Sequence, residues 1–353
     1  MAKQIECGAL TRLIEAIFRR AGSEEKEAQE IATHLVDANL MGHDSHGVAR
    51  VIRYVQYMQD GNLFANASLT VAMETDSLAV ADGNFGFGQS LGGAAVALGV
   101  EKARKAGVSL VALRNCGHLG RIGAWAEQAA EQGIISMHLV NTSGLGMRVA
   151  PFGGTDARLS TNPIAIGVPR AEGPPIIFDA ATAFIAEGKV FVANNKGVEV
   201  PEGSLIDNQG QPTRDPAALY ADPPGAITAF GLHKGSGLCF MIDLLAGALS
   251  GGGCTAPGVT RLANNMLSVY IDPSSFADQA YLADETERFM QWVKGSPPAT
   301  PGGEILLPGD LERATAAARR ADGVPLDDTT WNSIIEAAQM VGLNQSEISQ
   351  FTE

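Results

Sequence analysis

The chain has 353 residues, of which 45% are hydrophobic, and its 39 acidic side chains outnumber its 25 basic ones, for a formal net charge of −14. This length and apolar content suffice to bury a large core in one domain or in two interleaved domains. Because an acidic surface repels phosphate groups, and no basic run offsets the charge, nucleic acid is excluded as an expected partner.

Cysteine usage and hydropathy predict a cytoplasmic protein. The four cysteines are scattered, with no CxxC pair and no zinc-ligand spacing, so we expect a reducing compartment and no metal site. The N-terminal stretch carries charges through its apolar positions, which is typical of an amphipathic helix and not of a signal peptide. The most apolar stretch, residues 237–253, contains Asp243 and is too short to span a bilayer, so we expect no membrane partner.

The pattern of apolar residues predicts helices and strands in mixed order. Helices are predicted over residues 10–21, 23–41, 46–58, 88–107, 124–133, 238–249, 283–294, 310–321 and 328–341. Strands are predicted over residues 77–83, 108–115, 135–143, 165–170 and 265–273, a loop over 194–225 and a linker over 295–304. Since no strict βαβ rhythm emerges, we expect an α/β or α+β layered architecture.

The stretch "GHDSHGVARVIRYVQYM" combines histidines, an aspartate and a serine at a predicted helix start. At 100° per residue, Arg50, Arg53 and Tyr57 fall within about 40° of His46, and valines occupy the opposite face. One interpretation is a solvated surface helix capped by Asp44 and Ser45. The other is a site for a 2-oxo acid, because a guanidinium binds a carboxylate and an imidazole donates a proton.

A second candidate is His118 in "RNCGHLGRIG", between a predicted strand and a predicted helix. Backbone N–H groups point outward at such a junction and bind anions, and the glycines permit close approach. The alternative is a buried histidine in a tight turn. His138, inside a predicted strand, is expected to be structural.

Two glycine-rich motifs resemble nucleotide-binding sequences. "GFGQSLG" (86–92) has fingerprint spacing, but no acidic residue ends a second strand about 20 residues on, which favours a simple glycine-rich turn. "HKGSG" (233–237) lacks the order of a P-loop but could bind phosphate through Lys234 at a helix start. A phosphate-binding transferase is therefore an alternative, although no acidic pair is available to hold magnesium. A catalytically inactive scaffold dimer is another.

The segments "HDSHG", "NCGHLGRIG", "PFGGTDARLSTNP", "FDAATA", "HKGSG" and "LLPGD", in this order over nearly the whole chain, resemble the malate/L-lactate dehydrogenase family. The resemblance implies an NAD- or NADP-dependent oxidoreductase that interconverts a 2-hydroxy acid and a 2-oxo acid, or alternatively reduces a cyclic imino acid. It also implies a homodimer with a non-Rossmann fold. A helical domain (1–75 with 285–353) would lie beside an α/β domain (76–284) with a large mixed sheet.

The resemblance also assigns site residues. His46 matches the family's proton donor, with Ser45 in the same motif, and His118 matches a histidine that competes for this role. Arg50 and Arg53 would bind the substrate carboxylate, and Thr142 occupies the place of a lysine in the ureidoglycolate branch, which argues against ureidoglycolate. The residues implied to bind the dinucleotide are His46, Gly120, Arg121, Ile122, Phe178, Asp179, Ala180, His233, Lys234, Asn264, Leu307, Pro308, Gly309 and Asp310. In reduction, we expect a protonated histidine to supply the proton.

Overall fold

A computed structural model describes residues 3–144 and 146–352. The helices are α1 Cys7–Ala21, α2 Glu25–Leu40, α3 Val51–Gln59, α4 Gly88–Ala106, α5 Gly123–Ala130, α6 Glu187–Lys196, α7 His233–Ile242, α8 Gln279–Lys294, α9 Asp310–Asp322, α10 Asp328–Met340 and α11 Gln345–Thr352. The strands are β1 Lys3–Ile5, β2 Thr70–Glu74, β3 Leu78–Asp82, β4 Val108–Cys116, β5 Ile135–Ser143, β6 Ile164–Val168, β7 Ile176–Ala180, β8 Leu205–Ile206, β9 Pro212–Thr213, β10 Ala226–Ile227, β11 Ala263–Ile271 and β12 Val324–Leu326.

A seven-stranded mixed sheet forms the centre of the molecule, in the order β2-β3-β4-β11-β5-β6-β7. β3 and β4 pair in parallel, and the other neighbours pair antiparallel. This differs from the parallel sheet of a doubly wound fold. The mixed α/β architecture predicted from the sequence is therefore confirmed.

Helices α4 and α5 cover the central sheet closely because small residues face it. A Cβ on Gly99 of α4 would lie 2.1 Å from the ring of Tyr270 in β11. A Cβ on Gly167 of β6 would lie 2.6 Å from the carbonyl oxygen of Ala126 in α5. Close packing of this kind explains why the stretch predicted as a small-residue helix is so rich in glycine and alanine.

Both ends of the chain contribute to a second, helical core. Apolar side chains of α1, α2 and α3 pack with those of α9, α10 and α11, and β1 pairs with β12 beside them. A third, smaller apolar cluster lies around β8 and β10. The helical core fits the expected pairing of the chain ends, while the domain boundaries at 75, 76, 284 and 285 stay a prediction.

Several predicted elements differ in the structure. The helix predicted from His46 begins instead at Val51, after two 3₁₀ turns over 44–46 and 48–50. The reason is Gly47, whose extended backbone interrupts the helix while Asn39 Oδ1 accepts a hydrogen bond from the Val48 N–H at 2.8 Å. The predicted loop over 194–225 includes the end of α6 and the short strands β8 and β9. The strand β2 and the helix α11 had no sequence prediction.

Candidate functional site

The two candidate histidines, 72 residues apart in sequence, lie in contact. His46 comes from the turn before α3 and His118 from the turn between β4 and α5. The His46 Nδ1 and His118 Nε2 atoms are 3.3 Å apart, and the rings are nearly parallel, with centroids separated by 5.3 Å. On the far side of His118, its Nδ1 lies 2.6 Å from the Tyr54 hydroxyl oxygen.

The turn that carries His46 is held from two sides. Asp44 accepts hydrogen bonds from the Asn39 amide at 2.7 Å and from both terminal nitrogens of Arg319, at 2.6 and 3.1 Å. A Cβ on Gly47 would lie 2.1 Å from Asn39 Oδ1, so the turn requires glycine there. Asp44 therefore joins α2 to α9. The prediction that Asp44 and Ser45 cap the helix is wrong, because neither helical turn nor α3 has a side-chain cap there.

The turn that carries His118 is held by Asn264. The Asn264 Oδ1 accepts a hydrogen bond from the Leu119 N–H at 2.9 Å, and its Nδ2 donates to the Thr142 hydroxyl at 2.9 Å. Asn264 is only 3% exposed. Its amide thus positions the His118 turn, and neither it nor Thr142 touches the histidines in the contacts described.

Burial keeps both imidazoles neutral. It lowers the pKa of His46 to about 3, and the positive charge of Arg50 acts in the same direction. The pKa of His118 is lowered well below its usual value by burial and by Arg50. Removing a charged form from water costs free energy, so the imidazolium is disfavoured. Both rings are therefore neutral in the free protein at pH 7, and a protonated histidine in the reacting complex stays a prediction.

Arg50 offers an uncompensated cation beside the histidines. Its Nε donates to the Ser45 carbonyl at 2.6 Å, while its two terminal nitrogens make no hydrogen bond or ion pair within residues 3–144 and 146–352. A half-buried guanidinium with a free fork is suited to a carboxylate. Arg53 is exposed and does not join this group, and Tyr57 packs against the helical core. The sequence prediction placed Tyr57 on the same face as His46 because it assumed a continuous helix from His46 onward. This placement is wrong because α3 begins only at Val51.

The predicted residues Gly120, Arg121 and Ile122 lie together with Asp179. The Asp179 Oδ2 accepts a hydrogen bond from the Gly123 N–H at 2.8 Å, which ties the end of β7 to the start of α5. A Cβ on Gly120 would lie 2.1 Å from the ring of His34, and Ile122 is 4% exposed.

The Arg121 side chain is committed to the protein interior. It is 2% exposed and forms ion pairs with Asp37 at 2.8 Å and Glu127 at 2.5 Å. A guanidinium held by two carboxylates is not free for a ligand. Its sequence-based assignment to the dinucleotide is therefore wrong for the side chain, which fixes the turn instead.

The remaining predicted residues line the end of β7 and the starts of α7 and α9. Phe178 is 42% exposed, Ala180 is half-buried, and His233, Lys234 and Pro308 are exposed. The Leu307 N–H donates to Asp310 Oδ2 at 2.9 Å. A Cβ on Gly309 would lie 3.5 Å from the Ile177 carbonyl oxygen, which places the 307–310 turn beside β7.

Two connections tie this surface to the histidines. The Phe230 N–H donates to the Thr182 carbonyl at 3.0 Å, so the start of α7 adjoins the segment after β7. A Cβ on Gly188 of α6 would lie 2.8 Å from the Ser45 Cβ, so the turn of His46 packs on the helix that follows the same segment. The fold thus connects "HDSHG", "FDAATA" and "HKGSG" through neighbouring segments.

Sequence reasoning missed two residues of the site, Tyr54 and Gln89. Both are nearly fully buried, and the Gln89 Nε2 lies 3.1 Å from the Tyr54 hydroxyl oxygen. Gln89 belongs to "GFGQSLG", where a Cβ on Gly88 would lie 2.3 Å from the His118 carbonyl oxygen. The motif is thus a close-packing turn, as the sequence favoured. A glutamine between glycines was a visible signal, but its partners lie 29 and 35 residues away.

Two kinds of feature are absent from the described residues, namely a metal-binding cluster and a membrane-spanning helix. Across them, no three His, Cys, Asp or Glu side chains converge as ligands for a metal ion. No helix within the same residues has the length and apolar character needed to cross a bilayer.

Comparisons with known proteins match nearly the whole chain. Residues 5–335 match the malate/L-lactate dehydrogenase family. Hydroxycarboxylate dehydrogenase B of Escherichia coli O157:H7 is 41% identical over 355 residues, which cover 99% of this chain and 98% of the relative. A solved structure of a putative malate/lactate dehydrogenase from E. coli matches with a TM-score of 0.95 at 41% identity, covering 99% of this chain and 98% of its own. Sulfolactate dehydrogenase of Methanocaldococcus jannaschii matches with a TM-score of 0.88 at 33% identity, covering 99% and 100%.

Proposed function

The chain belongs to the malate/L-lactate dehydrogenase family and is a hydroxycarboxylate oxidoreductase, and we propose that it interconverts a 2-hydroxy acid and a 2-oxo acid at the His46–His118 pair. The observation that carries this placement is the free fork of Arg50 beside a neutral imidazole. A 2-oxo acid needs both groups, one for its carboxylate and one for its carbonyl oxygen. Family membership decides against the transferase and the inactive scaffold.

We assign proton transfer to His46 rather than to His118. Both ring nitrogens of His118 are engaged, one by Tyr54 and the other by His46. The Nε2 of His46 makes no hydrogen bond to another residue among those described. His46 therefore has the ring nitrogen that a substrate oxygen can reach.

The chemistry follows from these contacts. Arg50 binds the carboxylate and so orients the carbonyl carbon, which lowers the entropic cost of reaction. The N–H of neutral His46 donates to the carbonyl oxygen as negative charge develops there, as a neutral imidazole can. The Nε2 proton that passes to the oxygen is replaced by a proton from solvent, so His46 ends the step neutral, and in the oxidative direction the same transfers run in reverse. Acid–base assistance of this kind contributes roughly 10²–10⁴-fold to the rate.

A nicotinamide dinucleotide, when bound, supplies or accepts the hydride. The residues on the surface between β7 and the starts of α7 and α9 fit such a group. Lys234 is exposed in the first turn of α7 and makes no ion pair within the described residues, which suits a phosphate. Phe178 exposes a flat ring, which suits a base or nicotinamide. We assign the dinucleotide, NAD or NADP, to this surface.

We also propose a homodimer in the cytoplasm. Large apolar side chains are exposed along α7 and the turn that follows it, among them Phe240, Met241, Leu244 and Leu249. An apolar surface of this kind marks an interface, and a second copy of the chain is the proposed partner. The free cysteines Cys7, Cys116, Cys239 and Cys254 fit a reducing compartment.

A substrate panel tests the proposal. Reduced NAD and reduced NADP are each offered with pyruvate, oxaloacetate, 2-oxoglutarate, phenylpyruvate and cyclic imino acids, and absorbance of the reduced cofactor is followed. We expect oxidation of one cofactor with at least one 2-oxo acid. Turnover of cyclic imino acids alone would replace the 2-oxo acid by an imine at the same site. Failure of every pair, in protein that a reduced dinucleotide does not stabilise against heat, would contradict the proposal.

A further inference from the structure

The amide of Gln89 has one chemically allowed orientation. Its Nε2 lies 3.1 Å from the His118 carbonyl oxygen and 3.1 Å from the Tyr54 hydroxyl oxygen. A carbonyl oxygen only accepts hydrogen bonds, so the atom that faces it must be the nitrogen. Gln89 therefore donates one N–H to His118 and the other to Tyr54.

This orientation leaves a buried acceptor without a partner. The Gln89 Oε1 is buried and makes no hydrogen bond to another described residue. An unpaired buried acceptor costs free energy, and native structures contain few of them. The unpaired oxygen makes a glutamine side chain unfavourable for stability at this position. The two hydrogen bonds that its Nε2 donates therefore explain why a glutamine lies here.

The donation by Gln89 sets the direction of the next hydrogen bonds. Tyr54 accepts from Gln89, and its only other partner among the described residues is His118 Nδ1, at 2.6 Å. The hydroxyl hydrogen must go to that nitrogen, since it would otherwise be buried without an acceptor. His118 then carries its proton on Nε2 and donates it to His46 Nδ1, at 3.3 Å.

We propose that Gln89 is a positioning residue that fixes the tautomers of both histidines through Tyr54. With Nδ1 of His46 accepting from His118, the neutral His46 ring carries its own proton on Nε2, which has no hydrogen-bond partner among the described residues. The site thus presents an N–H and not a lone pair to a carbonyl oxygen. The effect on catalysis rests on the proposed role of His46 as proton donor. The assignment of the two tautomers does not depend on that role.

Nuclear magnetic resonance tests the tautomers directly. Long-range proton–nitrogen correlation spectra are recorded on the full chain with ¹⁵N-labelled histidine, and His46→Ala and His118→Ala assign the two rings. We expect both rings of the wild-type protein in the Nε2–H form at pH 7. An Nδ1–H form at either ring in the wild type would overturn the proposal, whatever the activity.

Gln89→Met removes both N–H donors at similar volume, and Gln128→Met is the matched control. Gln128 also donates its amide N–H to a backbone carbonyl of α4, that of Gly93 at 3.1 Å, but does not contact the histidines. In Gln89→Met no donor fixes the direction of the Tyr54 hydroxyl, so we expect an Nδ1–H population of His118 beside the Nε2–H form, about tenfold lower kcat and little change in KM. In Gln128→Met we expect wild-type spectra and kcat. Unchanged tautomers in folded Gln89→Met would refute the assignment even if kcat fell.

Gln89→Glu covers the case in which the methionine variant does not fold. Its carboxylate accepts from Tyr54 where the amide donated, so His118 should shift to the Nδ1–H form. Retention of the Nε2–H form there counts against the proposal. A wild-type protein with both Nε2–H tautomers but no reduction of any 2-oxo acid would contradict the proposed function and leave the role of Gln89 in place.

Discussion

The half-buried His46–His118 pair and the fully buried His138 are two imidazole sites with opposite character. His138 lies in β5, fully buried, with its Nδ1 2.8 Å from the Ser268 hydroxyl and its Nε2 3.0 Å from the Ser136 hydroxyl. Burial lowers the pKa of His138 to about 3, as it does for His46. A low pKa therefore does not distinguish the two sites. The difference is that His46 keeps one ring nitrogen without a hydrogen-bond partner in residues 3–144 and 146–352, beside the free fork of Arg50.

The comparison teaches that unmet hydrogen-bonding capacity marks the reactive site. At His138 the sheet satisfies both nitrogens, so no capacity remains for a ligand. At the pair, the chain of contacts ends at His46 Nε2, and Arg50 lacks a counter-ion in the part of the chain described. A small acid can satisfy both groups at once.

The largest effect is expected from removing the reactive imidazole. His46→Ala should lower kcat by roughly 10²–10⁴-fold, because it removes the proton donor. His118→Ala should lower kcat less, since it removes a partner of His46 and leaves the Nε2 of His46 in place. Steady-state assays of each variant, with dinucleotide binding measured in parallel, check this. Turnover of His46→Ala within a few-fold of wild type would exclude His46, and a greater loss in His118→Ala would exchange the two roles.

The second-largest effect is expected from replacing Arg50, and it should appear in substrate binding. Arg50→Met should raise KM for the 2-oxo acid by roughly 10–100-fold, the value of a charge-assisted hydrogen bond of about 1.5–3 kcal/mol. Arg50→Lys should recover part of this loss, because it keeps the charge without the fork. Arg53→Met is the control, and its KM should stay near wild type because Arg53 is exposed and apart from the histidines. Equal KM increases in Arg50→Met and Arg53→Met would contradict the assignment.

The sheet histidine should affect stability and not catalysis. His138→Ala leaves the hydroxyls of Ser136 and Ser268 without their partner, so we expect a loss of about 1–3 kcal/mol in the free energy of unfolding. The kcat per folded molecule should stay at the wild-type value. Urea unfolding and active-fraction assays measure the two quantities. A large fall in kcat with unchanged stability would mean that the two sites are coupled.

The smallest effect is a difference in pH dependence. The folded state lowers the pKa of His138 from 6.5 to about 3, so below pH 6.5 the unfolded chain binds a proton that the folded chain does not. Its contribution to stability is present above pH 6.5 and is lost as pH falls toward 3, by about 1.4 kcal/mol per pH unit at most. His138→Asn lacks this titration, so its unfolding free energy should fall less steeply between pH 6.5 and 4.5. Parallel curves for wild type and variant would show that His138 protonates in the folded state.

Much of the fold could be predicted from periodicity alone. The helices α1, α2, α9 and α10 and the strands β3, β4, β5 and β11 all lie at predicted positions. They were predictable because the residue pattern that marks each of them lies within its own short stretch of sequence. The strand β2 was missed because all five of its residues are exposed, so no apolar alternation marks it.

The site could be predicted only in part. The residues His46, Ser45, Arg50 and His118 came from motifs, but their arrangement did not. The helix start at Val51 depends on Asn39. Its side chain occupies the space that any residue larger than glycine would need at position 47. Tyr54 and Gln89 were missed because their contacts with His118 form between α3, α4 and the β4–α5 turn, which are distant in sequence.

The sequence by itself determined the family, the side chains available for acid–base chemistry and carboxylate binding, and most of the helices and strands, because these depend on local spacing and residue identity. Tertiary structure decided that His46 contacts His118 and that both rings are neutral. It also decided that the side chains of Arg121 and Asn264 bind other buried groups of the protein. Hydrogen-bond partners and burial depend on segments distant in sequence. They arise only when α2 and α3 pack against α4, α5 and the β4–α5 turn.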